Sequence, residues 1–169
     1  MKRGKYLRDK VGYLLFLLTA AIIAAADQFT KSMIRSYAEG ETIFQAGILR
    51  IVHVTNTGAA FGSLQDKSFF LTIVACVGVF LVLAVTFLLS RRLPSMNTIP
   101  DKLILGLILG GTIGNLIDRL RIGHVTDFIS ISIWPTFNVA DSALVVGVIL
   151  FTWRFLVTNG GNKPTEIAQ

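Results

Sequence analysis

Four long apolar runs, separated by short polar connectors, dominate this chain. They cover about residues 11–34, 68–89, 103–117 and 139–157. A bilayer core of about 30 Å needs roughly 20 mostly apolar residues per helix. The pattern therefore predicts a single, all-α membrane domain over residues 1–169 with four transmembrane helices. The third run is the shortest and richest in glycine, with Gly106, Gly110, Gly111 and Gly114. Gly106 and Gly110 form a small-xxx-small pair, which lets two helix backbones approach closely.

The polar stretches predict the rest. In the outer loop, residues 35–67, "ILRIVHVT" is rich in β-branched residues and "NTGAAFG" follows it with turn residues. That is the pattern of a small β-element lying on the membrane surface. Residues 124–135 are apolar but too short to span. Ile129, Ile131 and Ile133 alternate with serines, which favours a strand, although a short interfacial helix fits as well. "RRLPSMNTIP" reads as a connector whose prolines break helices. The tail "NGGNKPTEIAQ" is polar.

Composition agrees. Only 15% of residues are charged, against about 25% in soluble domains. The net charge of +6 is no sign of nucleic-acid binding, because the bases are concentrated in particular segments. Lys2, Arg3, Lys5, Arg8 and Lys10 precede the first run; Arg91, Arg92 and Lys102 lie between the second and third. The positive-inside rule puts both termini in the cytoplasm and the loops around 35–67 and 118–138 outside. The basic start followed by Ala24-Ala25-Ala26 imitates a cleavable secretory signal. The run is long for one, however, and Asp27 and Lys31 sit one helical turn apart, acid before base, as a continuing helix favours. Cys76 is the only cysteine and His53 and His124 the only histidines, so no spacing suggests a metal site.

Of ten acids, Asp9, Asp101 and Glu166 fall on the cytoplasmic side and Glu39, Glu41 and Asp66 in the outer loop. Asp27, Asp118, Asp127 and Asp141 remain, each near the outward end of an apolar segment. Acids at a membrane are functional candidates. Asp27 has Lys31, and Asp118 has Arg119 and Arg121 nearby or a base on another helix, so pairing explains both. Asp127 and Asp141 have no base three or four residues away. Two carboxylates brought together cannot both ionise easily, and such a pair can share a proton as aspartic proteases do. Helix N-capping is the alternative for Asp141. Two other functions fit the acids: a proton-coupled transporter, and a non-catalytic assembly protein whose acids only pair with Lys31 and Arg119.

Five motifs decide between these: "DQFTK" (27–31), "NTGAAF" (56–61), "GNLIDR" (114–119), "HVTDF" (124–128) and "FNVADS" (137–142). In this order, across four spans, the chain resembles the bacterial lipoprotein signal peptidases, signal peptidase II. The resemblance implies an aspartyl endopeptidase with Asp127 and Asp141 as its catalytic pair. It implies supporting or substrate-binding roles for Asp27, Lys31, Asn56, Gly58, Asn115, Asp118, Arg119, Asn138 and Ala140. It also implies no cofactor and no metal, and a multi-pass place in the bacterial cytoplasmic (inner) membrane among its lipids. The substrate would be a prolipoprotein carrying diacylglycerol on a cysteine, cut just before that residue. Asn56 and Asn115 are neutral groups suited to holding substrate backbone or an oxyanion. A turn residue and an interhelical bond are their alternative roles.

Overall fold

The computed structural model describes residues 2–58, 68–92 and 97–160. The second half of "NTGAAF", Gly62 and the C-terminal tail lie outside them. The element order is α1 (Lys2–Ile34), β1 (Thr42–Ala46), β2 (Leu49–Asn56), α2 (Ser68–Arg92), α3 (Ile99–Ile122), β3 (Val125–Ile131) and α4 (Val139–Gly160). Within these, Tyr6–Ile34, Ser68–Leu88, Ile99–Ile122 and Val139–Thr158 are long and apolar enough to cross a membrane. Leu14, Leu17, Phe80, Ile149 and Trp153 face outward from α1, α2 and α4. In a bilayer such side chains meet lipid tails.

Helix α3 is the most buried of the four and packs against the other three. Phe16 and Ala20 of α1 meet Leu105 and Leu109 of α3 in the core. The glycines permit this central position. A methyl at Gly110 would lie 2.7 Å from the Ala20 carbonyl of α1, and one at Gly111 would run into the Ala140 carbonyl of α4. Consecutive helical residues lie about 100° apart, so the two helices approach α3 on neighbouring faces.

Helix α3 is longer than the apolar run at 103–117. Thr98 precedes it, Pro100 sits in its first turn, where no backbone N–H is needed, and Gly123 (φ 80°) ends it. So Pro100 opens a helix here instead of breaking one. Asp101, which the sequence reading put on the cytoplasmic side with no partner named, is buried. It accepts the Thr98 amide (2.9 Å) and hydroxyl (2.6 Å) and pairs with Arg154 of α4 at 2.9 Å.

The segment after α3 is a strand. Strands β1, β2 and β3 form one antiparallel sheet in that order. The stretch left open between helix and strand thus adds an edge to the hairpin. Phe137 then pairs back with Ile129 through two backbone bonds of 2.8 and 3.0 Å. This return carries the chain from the strand to the start of α4 within a few residues. Ile133, which seemed to continue the strand, lies in the connecting turn and is 98% exposed.

Close packing of α1 on α3 gives a paired prediction. Gly110→Ala should lower stability by about 1–3 kcal/mol, the usual cost of overpacking. Gly78→Ala should be nearly neutral, because a methyl there meets only Thr112 Cγ2 at an ordinary 3.5 Å. Thermal unfolding of both variants in detergent checks this; equal losses would refute it.

Candidate active site

The site begins with a buried cation. Lys31 is wholly buried, and its ammonium has three donors. It meets Asp27 at 2.7 Å, Asn115 Oδ1 at 2.8 Å and Asp118 at 3.2 Å. The carboxylates are completed from elsewhere. Asp27 Oδ1 accepts the Ala140 amide at the start of α4 (3.0 Å). Asp118 accepts Gln28 (2.9 Å), Arg35 (2.6 Å) and the Thr126 amide (3.1 Å). Gly114 has no side chain because a methyl would sit 2.7 Å from Asp27 Oδ2. With Arg35 included, two cations face two anions, so this layer is neutral.

Above it stand Asp127 on β3 and Asp141 in the first turn of α4. Asn138 holds both. Its Nδ2 donates to Asp127 Oδ1 at 2.7 Å and its backbone amide to Asp141 Oδ2 at 3.2 Å, while its Oδ1 accepts the Asp141 amide at 2.9 Å. Asn115 Nδ2 donates to Asp141 Oδ1 at 2.7 Å, and Asn56 Nδ2 to Asp127 Oδ2 at 2.8 Å. The ammonium of Lys31 can only donate, which fixes the Asn115 oxygen toward it and turns its nitrogen toward Asp141. Each of the four carboxylate oxygens therefore receives one neutral donor. Among the described residues neither acid forms an ion pair.

Strand register delivers Asn56. Ile51 pairs with Ile129, but Val54 pairs with Asp127, so β2 gains one residue between them. Side chains alternate along a strand, and a one-residue shift reverses which face each occupies. With the shift, Val54 and Asn56 share the face of Asp127. Without it, Asn56 would point away.

Burial pushes the Asp127 carboxyl up to about 6. The Asn56 and Asn138 bonds and the Lys31 charge oppose that rise, while the Asp141 charge adds to it. Two apolar clefts meet at Asp141. One, about 470 Å³, lies between α2, α3 and α4 and reaches Asn115 and Arg119. The other, about 270 Å³, is lined by Trp134, Phe137, Ser142, Val145 and Val146.

Asp27, Lys31, Asn56, Asn115, Asp118, Asp127, Asn138, Ala140 and Asp141 thus converge. Gly58 donates its amide to Asn56 Oδ1 (3.0 Å), shaping the turn that presents that side chain. Arg119 stands apart. Among the described residues its side chain hydrogen-bonds only the Asn115 carbonyl of its own helix, at 3.4 Å, and it lines the larger cleft. Asn56 and Asn115 each direct a donor to the acids, not to open space. Sequence reasoning missed Gln28, Arg35 and Thr126. Gln28 and Thr126 lie inside the motifs, and Arg35 repeats the helical spacing of Asp27 and Lys31 one turn on.

Comparison with known proteins is consistent along the chain. The family model described as signal peptidase (SPase) II matches residues 19–157. A lipoprotein signal peptidase of Dehalococcoides mccartyi (strain 195) is 44% identical over 157 residues, covering 92% of this chain and 98% of that protein. One from Moorella thermoacetica is 41% identical, covering 88% and 99%. A bacterial membrane enzyme solved at 2.3 Å by the in meso method superposes with a TM-score of 0.77 at 30% identity, covering 90% of this chain and 94% of that one.

Two outcomes follow from the electrostatics. Lys31→Met strands three buried acceptors and should cost about 3–5 kcal/mol, as removing one partner of a buried ion pair does; denaturation in detergent measures it. Asp127 has a raised folded pKa, so its contribution to stability is full below the ordinary carboxylate value of 3.8 and is lost as pH rises through about 6. The melting temperature of the wild type, relative to Asp127→Asn, should fall across that window and level off above it.

Proposed function

This chain belongs to the signal peptidase II family, and from that premise we propose that Asp127 and Asp141 are its catalytic pair. As a member it is a membrane-spanning aspartic endopeptidase that removes signal peptides from prolipoproteins. Transport and pure assembly are thereby set aside. The observation that carries the assignment is that one residue, Asn138, holds both carboxylates, while Lys31 is occupied by Asp27 and Asp118. Structural acids in this chain have cations; these two have amides.

The pair shares one proton in the free enzyme and titrates as a unit. The ionised carboxylate takes a proton from water as the water oxygen attacks the scissile carbonyl carbon. The protonated one gives its proton to the carbonyl oxygen. The resulting neutral diol collapses: the C–N bond breaks, the nitrogen takes the proton held by the pair, and one diol hydroxyl gives its proton to the other carboxylate as the carbonyl reforms, so the one-proton state returns. No covalent enzyme intermediate forms, and the chemistry calls for no metal or cofactor. Asn56, Asn115 and Asn138 fix the carboxylates, and Ala140 seats α4 on Asp27. Arg119, in the cleft wall, is free to meet substrate.

The substrate is a prolipoprotein with diacylglycerol on a cysteine, cut just before that residue. Two apolar clefts flanking Asp141 suit a scissile bond with an apolar peptide on one side and lipid chains on the other. The basic segments put both termini in the cytoplasm and the pair at the outer face of the inner membrane.

Purified protein in detergent with chelator should cut such a precursor. Asp127→Asn and Asp141→Asn should each lose at least about 10²–10⁴-fold, the scale of general acid–base catalysis, while still melting cooperatively. Full activity in either variant sinks the assignment. For orientation, in a Cys76→Ser background, Glu39→Cys should react with an impermeant maleimide added outside spheroplasts and Asn97→Cys should not. The reverse pattern would invert the topology.

A further inference from the structure

Arg35 lies just past α1, and nothing in the motifs points to it. Its side chain is 28% exposed and its guanidinium makes two directed contacts: Nη2 to Asp118 Oδ1 at 2.6 Å, and Nε to the Thr126 hydroxyl at 2.8 Å. Asp118 in turn accepts the Thr126 backbone amide at 3.1 Å. Thr126 itself is buried and immediately precedes Asp127. So α1, α3 and β3 are tied together at the residue next to a catalytic acid.

We propose that Arg35 is a positioning residue for the peptidase, a latch that sets the place of Asp127 through Thr126. The inference rests on the reading of Asp127 as catalytic. On the α4 side Asp127 is held by Asn138, and on the β2 side by Asn56. Both bonds act on the carboxylate itself. Lys31 and Gln28 of α1 reach the β3 backbone here only through Asp118, whereas Arg35 engages both Asp118 and the Thr126 side chain directly, among the described residues. A guanidinium presents Nε and Nη2 as a rigid fork, and here one tooth engages each partner. Lysine supplies the charge for Asp118 but no second tooth. Lys31 bridges Asp27 and Asp118 from within the bundle and Arg35 supplies the second positive charge; what a lysine in its place lacks is direction, and the Thr126 hydroxyl receives it.

The test is a double-mutant cycle on the full-length protein, with cleavage of a diacylglyceryl-modified prolipoprotein and melting curves read together. Arg35→Gln and Thr126→Val should each lower kcat about tenfold, short of the ~100-fold that a 1 Å misplacement brings, with KM unchanged. The double variant should be no slower than the slower single one, Arg35→Lys should recover part of the loss, and Thr126→Ser should keep full activity. Multiplying losses, or a wild-type kcat in Arg35→Gln with only a lower melting temperature, would overturn the latch. If Arg35→Gln does not fold, Thr126→Val against Thr126→Ser decides, equal kcat values overturning it. An inert wild type overturns the peptidase reading and the latch with it; a wild type that cuts beside an unimpaired Arg35→Gln overturns the latch alone.

Discussion

A single ammonium group, buried among two carboxylates and an amide, is the interaction on which the remainder depends. Lys31 has no water to fall back on, so its three hydrogens must find protein acceptors. Asp27, Asp118 and Asn115 supply them. These acceptors sit on α1 and α3, and Asp27 also receives the first turn of α4. Satisfying one charge therefore fixes three helices relative to one another. A buried ion pair is poor evidence of stability in itself, because desolvation offsets much of the attraction. Its value here is geometric: this arrangement of the helices gives each of the three hydrogens an acceptor. Among the described residues, no buried side-chain nitrogen or oxygen lacks a partner.

The same group sorts the acids into two kinds. Asp27 and Asp118 are beside cations. Asp127 and Asp141 sit one layer further out, where the available donors are asparagine nitrogens and a backbone amide. Neutral donors orient a carboxylate without cancelling its charge. Burial then raises the proton affinity of Asp127 toward the range in which a proton can be held and passed on. Asn115 joins the two layers, accepting from Lys31 on one side and donating to Asp141 on the other. The buried lysine thereby sets the direction of a hydrogen bond to Asp141 that it does not make.

Much of this was legible in the chain. Apolar runs of spanning length announced four helices, since a bilayer core demands about 20 apolar residues whatever their neighbours are. Acid before base at one-turn spacing announced the pair of Asp27 and Lys31. The small-residue spacing in α3 announced close packing, and Gly106 and Gly110 do face α1. Less was legible where long-range contacts set the outcome. Asp101 had no partner in the sequence reading because Arg154, with which it pairs, is far away in sequence. The stretch after α3 could not be assigned, because only pairing with β2 makes it a strand. Arg35 gave no signal beyond helical spacing, since its partners lie on two other elements.

Local patterning by itself determined how many helices cross the membrane, where the acids cluster and which family motifs the chain carries. These follow from periodicity and residue type, which act over a few positions. The tertiary structure decided which partners each acid meets. A one-residue register shift in β2 puts Asn56 on the face of Asp127, and the return of Phe137 onto Ile129 brings Asn138 and Asp141 to that strand. Both are choices of pairing between distant segments. A carboxylate ends beside a cation or beside neutral amides according to which donors packing delivers to it, and its own sequence neighbours do not contain that information.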